Sequence, residues 1–137
     1  MGIVRTAYIT HPACRLHDTG PTHPECAGRL FAIEDQFIAS GLRDTLLHVD
    51  APEVTAEQLL RVHTLGHIET VSAAIPDSGY ARLDPDTVVS PSSLVAAYRA
   101  AGAVVTAVDL VMAGEMDSAF CAVRPPGHHA ERNRAMG

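Results

Sequence analysis

The chain has 137 residues, of which 47% are hydrophobic and 19% charged, and this composition fits one soluble globular domain rather than a disordered or fibrous protein. The formal net charge of −6 argues against a protein that binds nucleic acid through its overall charge. All ten basic residues are arginine, which excludes mechanisms that need a lysine of this chain. The three cysteines form no Cys-x-x-Cys pair, which favours a reducing, cytoplasmic location.

Apolar periodicity and turn-forming residues predict the elements of the first 90 residues. Thr22 and Glu25 have the spacing of a capping box around Pro24, and they predict the start of a helix that ends near Gly41. A second capping box at Thr55 predicts another, shorter helix. The full set comprises a strand at 3–10, a helix at 22–41, a strand at 46–49, helices at 55–62 and 64–74, and a loop at 76–90.

The last third of the chain predicts a long buried helix followed by a central strand. Ser90 and Pro91 open the helix as its cap and first-turn proline. The apolar run of this helix has about the length of a membrane span, but Arg99 and Asp109 interrupt it. We therefore expect a helix buried by more than one neighbour, with no membrane contact. The apolar segment 118–123 is typical of a central parallel strand, so the chain predicts a parallel α/β sheet.

Histidines are concentrated in the loops that follow the first and last predicted strands. The carboxyl ends of parallel strands meet at one edge of a sheet, so these loops should lie together. They contain five of the eight histidines, namely His11, His17, His23, His128 and His129. The adjacent pair His128–His129 follows a Pro-Pro-Gly turn, and its two rings could divide the work of proton transfer. A solvated pair in a surface loop is the alternative interpretation.

Two weaker patterns have the spacing of metal ligands. His11, Cys14 and His17 are separated by two residues each, and His63 and His67 are spaced by one helical turn. Neither pattern has a complete ligand set, so a structural role is the preferred interpretation of both. A small metal-binding module built on the first three of the clustered histidines is an alternative.

Several segments agree in order and spacing with one enzyme family. The segment from Arg124 to Ala130 resembles the tandem-histidine motif of the zinc-dependent histone deacetylase family, above all its class II and bacterial deacetylase-like or acetylpolyamine amidohydrolase branches. The segment His23-Pro-Glu-Cys-Ala-Gly-Arg29-Leu resembles the family's helix start, and Arg61-Val-His63 and Asp86-Thr87 follow in the family's order. The resemblance covers essentially the whole chain.

The resemblance implies an arginase/deacetylase-type α/β fold with three layers and a parallel sheet. In that family zinc and an activated water hydrolyse an acetylated amine, here expected to be acetyl-lysine or an acetylpolyamine. By position, His128 resembles the histidine that a carboxylate tunes, and His129 resembles the general base that later returns the proton to the leaving amine. Arg29 resembles an arginine that lines an internal channel, and Asp86 and Gly127 lie where the family contacts its substrate.

The chain also departs from the family pattern. The family's zinc ligands, an Asp-x-His pair and a further Asp, and its catalytic Tyr follow the tandem histidines and have no counterpart in residues 1–137. We therefore expect a partial deacetylase catalytic domain over 1–137 that holds no zinc by itself. It should be inactive and marginally stable alone, and it should self-associate through an exposed sheet edge. A non-catalytic binding or regulatory relative of the same fold is the alternative.

Overall fold

The structure is a computed structural model and describes residues 2–137. Its centre is a parallel sheet of three strands, with a separate two-stranded antiparallel hairpin beside it. The strands are β1 (Thr6–Thr10), β2 (Leu47–Asp50), β3 (Ala81–Asp84), β4 (Thr87–Val89) and β5 (Ser118–Cys121). The helices are α1 (Gly28–Ala39), α2 (Ala56–Leu60), α3 (Leu65–Ala74) and α4 (Ser93–Met112), with short 3-10 helices at Pro12–Arg15 and Leu42–Thr45.

Strand β1 forms the middle of the sheet, which has the order β2-β1-β5. Ala7 aligns with Leu47 on one side and with Ala119 on the other, and both pairings are parallel. The β-branched and aromatic residues of this segment suit a strand buried on both faces, and Ala7, Tyr8 and Ile9 are at most 1% exposed. The predicted parallel α/β sheet is therefore confirmed.

Strand β5 is an edge strand among the described residues, and the further sheet neighbours that its central-type sequence pattern predicts stay a prediction. It pairs with β1 on one side, and its Phe120 side chain is 44% exposed. A strand of apolar residues has the same sequence pattern at the centre and at the edge of a sheet, because the pattern indicates which faces are covered and not which strands lie alongside.

Helices cover the two faces of the sheet, which makes the three layers that the resemblance implied. On one face, α1 packs through Leu30 against a buried cluster that includes Tyr8 and Cys14. On the other face, α4 packs through Ala103 against Ile9. The hydrophobic residues of each helix that face the sheet supply the main driving force for this arrangement.

Helix α4 approaches the chain after β2 so closely that only glycine fits at one position. A Cβ atom on Gly102 would lie 1.9 Å from the carbonyl oxygen of Pro52. The backbone amide of Val54 donates to the carbonyl of Tyr98 at 3.0 Å and fixes the same contact. This close approach explains a glycine in the middle of a helix, where it would otherwise cost stability.

The opposite side of α4 is not covered by the described residues, and the further neighbours expected for this helix stay a prediction. Exposed apolar side chains on this side include Val104 (52%), Val108 (55%) and Met112 (81%). The helix has the length and mean hydropathy of a membrane-spanning helix, and in this structure it packs against β1 and β5. An apolar surface of this extent is typical of a face that another protein segment covers.

Three local predictions near the helix starts were wrong, and one was confirmed. Helix α1 begins at Gly28 without a side-chain cap, because the carboxylate of Glu25 binds an arginine instead of closing a capping box. Helix α4 follows Ser92 rather than Ser90, and the loop predicted at 76–90 contains the β3–β4 hairpin. The capping box at Thr55 is present with both of its hydrogen bonds.

Candidate active site

The paired histidines lie in a tight turn just beyond β5. The chain leaves the sheet after Ala122, whose amide donates to the carbonyl of Ile9 at 2.9 Å. Gly127 has a φ of +61°, a left-handed conformation that glycine adopts without steric cost. The rings of His128 and His129 follow directly, with their centroids 4.1 Å apart and their planes inclined by 55°. The turn therefore presents two imidazoles side by side at the carboxyl edge of the sheet.

A fully buried arginine joins this turn to the loop after β1. Arg124 is 0% exposed, and its guanidinium donates to both carboxylate oxygens of Glu25, at 3.1 and 2.8 Å. It also donates to the carbonyl of Cys14 at 3.1 Å and, through a short contact, to the carbonyl of His17. Because a buried charge is costly unless it is paired and hydrogen-bonded, these four contacts are what make an arginine tolerable at this depth.

The same network controls the charge states of its members. Burial opposes ionisation of Glu25, but the hydrogen bond and the charge of Arg124 outweigh it and hold the pKa of Glu25 below its ordinary value. His17 is 4% exposed, and its Nδ1 lies 2.6 Å from Ser93 Oγ. Burial, reinforced by the positive charge of Arg124, lowers the pKa of His17 to about 4. His17 is therefore neutral at physiological pH.

His23 and Asp86 approach the paired histidines from the other side. The amide of Glu25 donates to His23 Nδ1 at 3.1 Å, so His23 Nε2 carries the proton and donates to the carbonyl of Asp86 at 2.8 Å. The two residues share with His128 and His129 an open depression of about 550 Å³. The arrangement places ring nitrogens and an exposed carboxylate around one space that a small polar group could enter.

A smaller and more apolar cavity of about 160 Å³ lies next to the depression. Its wall includes Val71, Leu94, Pro126 and Gly127, and His17 and Glu25 reach it from the buried network. Aliphatic walls with a few converging polar groups are typical of small-molecule sites.

The structure brings together three of the five histidines predicted to share one face. His23, His128 and His129 line the depression. His17 does not line it, but its Nε2 atom lies 3.9 Å from the carboxylate of Glu25, which does. His11 does not join them, because its Nδ1 accepts the amide hydrogen of Ala13 and caps the 3-10 helix.

The other predicted site residues lie around this cluster. Asp86 and Gly127 border the cavities as their substrate-binding interpretation requires, and their roles stay predictions. Arg29 is about half exposed, donates to the carbonyl of Val123 at 2.8 Å and lies 3.5 Å from the Glu25 carboxylate. Its channel role also stays a prediction.

The two weaker ligand patterns have structural contacts. Cys14 is buried, and its thiol lies 3.9 Å from the carbonyl of Ala96. His63 precedes the cap of α3 rather than sharing that helix with His67, and His63 Nδ1 lies 3.1 Å from the carbonyl of Arg132. Within residues 2–137 no three His, Cys, Asp or Glu side chains converge as a metal site would require.

Sequence reasoning missed the Arg124–Glu25 pair. A signal was present, because an arginine placed directly after an apolar central strand must find a partner if it is buried. The sequence separation of 99 residues gave no indication of which carboxylate that partner is.

Fold and site together define an α/β protein with a histidine-based candidate acid–base site at the carboxyl edge of a parallel sheet. Comparison with known proteins is consistent with this class. The histone deacetylase domain matches residues 23–137 of the chain. The chain therefore belongs to the histone deacetylase domain family.

Individual relatives agree with the family assignment. The chain is 34% identical, over 97% of its length, to a histone deacetylase-like amidohydrolase of Pseudomonas aeruginosa. It is 36% identical, over 88% of its length, to histone deacetylase 5 of Arabidopsis thaliana. The crystal structure of the HDA15 HD domain superposes with a TM-score of 0.89 at 32% identity and covers 98% of the chain. The chain spans 39% of the Pseudomonas protein, 20% of the Arabidopsis protein and 39% of the solved domain.

Proposed function

We propose that this chain supplies the proton-transfer part of a deacetylase-type site that hydrolyses acetylated amines, acetyl-lysine or an acetylpolyamine. The observation that carries the proposal is the pair of adjacent imidazoles, 4.1 Å apart between centroids, held in a glycine turn at the edge of the depression. Membership of the histone deacetylase domain family supports the amide-cleaving chemistry.

The proposed roles follow from imidazole chemistry. Imidazole titrates near neutrality, so one ring can accept a proton from the attacking water while its neighbour remains charged or hydrogen-bonded. We assign the base to His129, which later returns the proton to the leaving amine, and the supporting charge to His128. Asp86 and Gly127 are proposed to contact the substrate at the rim, and Arg29 to lie along the channel behind the site.

Zinc is proposed for the complete family domain and not for this chain alone. The described residues offer no set of three converging ligands, and in the complete domain the metal would polarise the acetyl carbonyl and activate the attacking water. The proposal therefore requires that the ligands come from outside residues 2–137, and it expects this chain to be inactive by itself. A cytoplasmic location is part of the same proposal.

A hybrid domain tests the proposal. Residues 1–137 replace the matching segment of the Pseudomonas aeruginosa relative, and the hybrid and the separate chain are assayed with zinc on an acetyl-lysine peptide and an acetylated polyamine. We expect turnover by the hybrid and none by the separate chain. Turnover by the separate chain would contradict the requirement for outside ligands. A folded but inactive hybrid, beside an active unchanged relative, would contradict the proposed function.

A non-catalytic binding relative is the second candidate, and the uncovered apolar side of α4 is the observation that favours it. The same hybrid separates the two candidates, because a binding relative need not restore turnover. A metal-binding module is less favoured, since the nitrogens of His23 are hydrogen-bonded to protein groups and His17 is buried against Ser93.

A further inference from the structure

We propose that the Arg124–Glu25 ion pair positions the candidate acid–base histidines, so that both residues are positioning residues of the site. The contacts described below support the positioning itself, and its role in proton transfer rests on the proposed function. Arg124 is wholly buried, and the Glu25 carboxylate, which borders the depression, is engaged by its guanidinium.

The turn between Arg124 and His128 is short and stiff. Arg124 is separated from His128 by two prolines and one glycine, so the orientation of this short connection is set where Arg124 is held. Proline fixes φ at each of two positions, which leaves the turn little freedom of its own. The bidentate bond to Glu25 and the bonds to the carbonyls of Cys14 and His17 restrain the guanidinium in several directions.

Glu25 also holds the opposite wall of the depression. The Glu25 side chain binds Arg124, while the Glu25 backbone amide donates to His23 Nδ1 and its carbonyl accepts from Thr19 Oγ1 at 2.6 Å. One residue thus holds the histidine turn through its side chain and orients His23 through its backbone. The pair couples the two walls that carry the site's imidazoles.

A buried ion pair often stabilises a fold no more than apolar residues of the same volume would, whereas loss of one partner leaves an unpaired charge in the interior. Geometry is therefore the stronger reason for such a pair here. A bidentate arginine–carboxylate contact also has a defined planar geometry that lysine cannot reproduce.

The experiment uses the full chain and needs no turnover. NMR measures hydrogen exchange at the amides of Gly127 and Ala130, which are bonded to the carbonyls of Gly137 and Gly127, and the imidazole resonances of His128 and His129. We expect Glu25→Gln to accelerate exchange at both amides by about 100-fold and to shift both sets of imidazole resonances.

The matched control is Glu34→Gln. The side chains of Glu34 and Glu25 are similarly exposed, at 22% and 20%. Glu34 also pairs with an arginine, since it accepts a hydrogen bond from Arg43 Nε at 3.0 Å, but it does not contact the histidine turn. We expect this control to leave the amides and imidazoles of the turn unchanged. Unchanged signals in Glu25→Gln, or equal changes in Glu34→Gln, would overturn the proposal.

A second variant covers the case in which Glu25→Gln unfolds. Glu25→Asp keeps the charge, so we expect a folded chain. Its exchange rates at Gly127 and Ala130 should lie between those of the wild type and those of a turn that has lost its contact with residue 25. Uniform loss of protection, including β1, would contradict the proposal. An inactive hybrid domain would remove the proposed function and leave this result standing, whereas unchanged turn signals would remove this inference alone.

Discussion

The buried histidine of the network makes a quantitative prediction about pH and stability. His17 is 4% exposed, and burial together with the nearby charge of Arg124 lowers its pKa from the ordinary 6.5 to about 4. The unfolded chain, where the pKa returns to about 6.5, therefore binds a proton over a pH range in which the folded chain does not. Above pH 6.5 the contribution of His17 to the free energy of unfolding does not change with pH. As the pH decreases from 6.5 towards 4, the free energy of unfolding falls.

The size of the effect follows from the two pKa values. Linkage gives a loss of about 2 kcal/mol between pH 7 and pH 5, and roughly 3 kcal/mol once the pH is below 4. A loss of this size is a large fraction of the ~5–15 kcal/mol that stabilises an ordinary domain. The window above pH 5 also avoids the carboxylate of Glu25, whose pKa is held below its ordinary value.

Urea denaturation followed by circular dichroism at pH 7, 6 and 5 measures this loss. His17→Asn keeps a polar atom near Ser93 and removes the titrating ring, so the variant should show a shallower dependence on pH whatever its absolute stability. His48→Asn is the control, since His48 is partly exposed on β2 and lies outside the network. The same slope in His17→Asn as in the wild type would refute the reasoning.

Three further predictions follow from packing and exposure. Gly102→Ala should destabilise the chain by about 3 kcal/mol or more, because the new Cβ atom would clash with the Pro52 backbone. Gly66→Ala, whose Cβ atom would meet nothing within 4 Å, should stabilise the chain by roughly 0.5 kcal/mol. Thermal melts compare the two variants, and equal melting temperatures would contradict the close approach at Gly102. Cys26, which is exposed, should react with a thiol reagent long before Cys14, because burial raises the pKa of the Cys14 thiol. Mass spectrometry follows the labelling, and equal rates at the two cysteines would argue against a buried Cys14. Sedimentation velocity should show concentration-dependent association that Phe120→Glu on the edge strand weakens, and a monomer at all concentrations would remove the predicted self-association.

The parallel sheet was predictable because its strands and helices alternate with clear local patterns. Four of the five residues 6–10 are β-branched or aromatic, and Thr55 has a capping box that the structure contains with both hydrogen bonds. Such signals depend on neighbours in the sequence, and the local physics does not change when the chain folds.

The failures arose where a residue has a distant partner. Glu25 has the spacing of a capping box, but a buried arginine 99 residues away takes its carboxylate. The hairpin at 81–89 was missed because turn-forming residues precede and separate its two short strands, and tertiary contacts decide their pairing.

The candidate site was predicted in part for the same reason. Parallel-sheet topology brought His23, His128 and His129 to one edge, as the sequence order indicated. His11 separated from them because its ring caps a short helix within its own loop. Which loops meet at an edge of the sheet can thus be predicted from the sequence, whereas the position and orientation of each ring depend on contacts that the sequence does not reveal.

The most direct test of the acid–base assignment is the turnover number of the hybrid domain with His129→Ala. The account predicts that kcat falls by roughly 100-fold to 10,000-fold while KM changes little, because a general base acts in the chemical step. His48→Ala on the far strand should leave kcat unchanged. A His129→Ala hybrid that keeps kcat within about threefold of its parent would contradict the assignment.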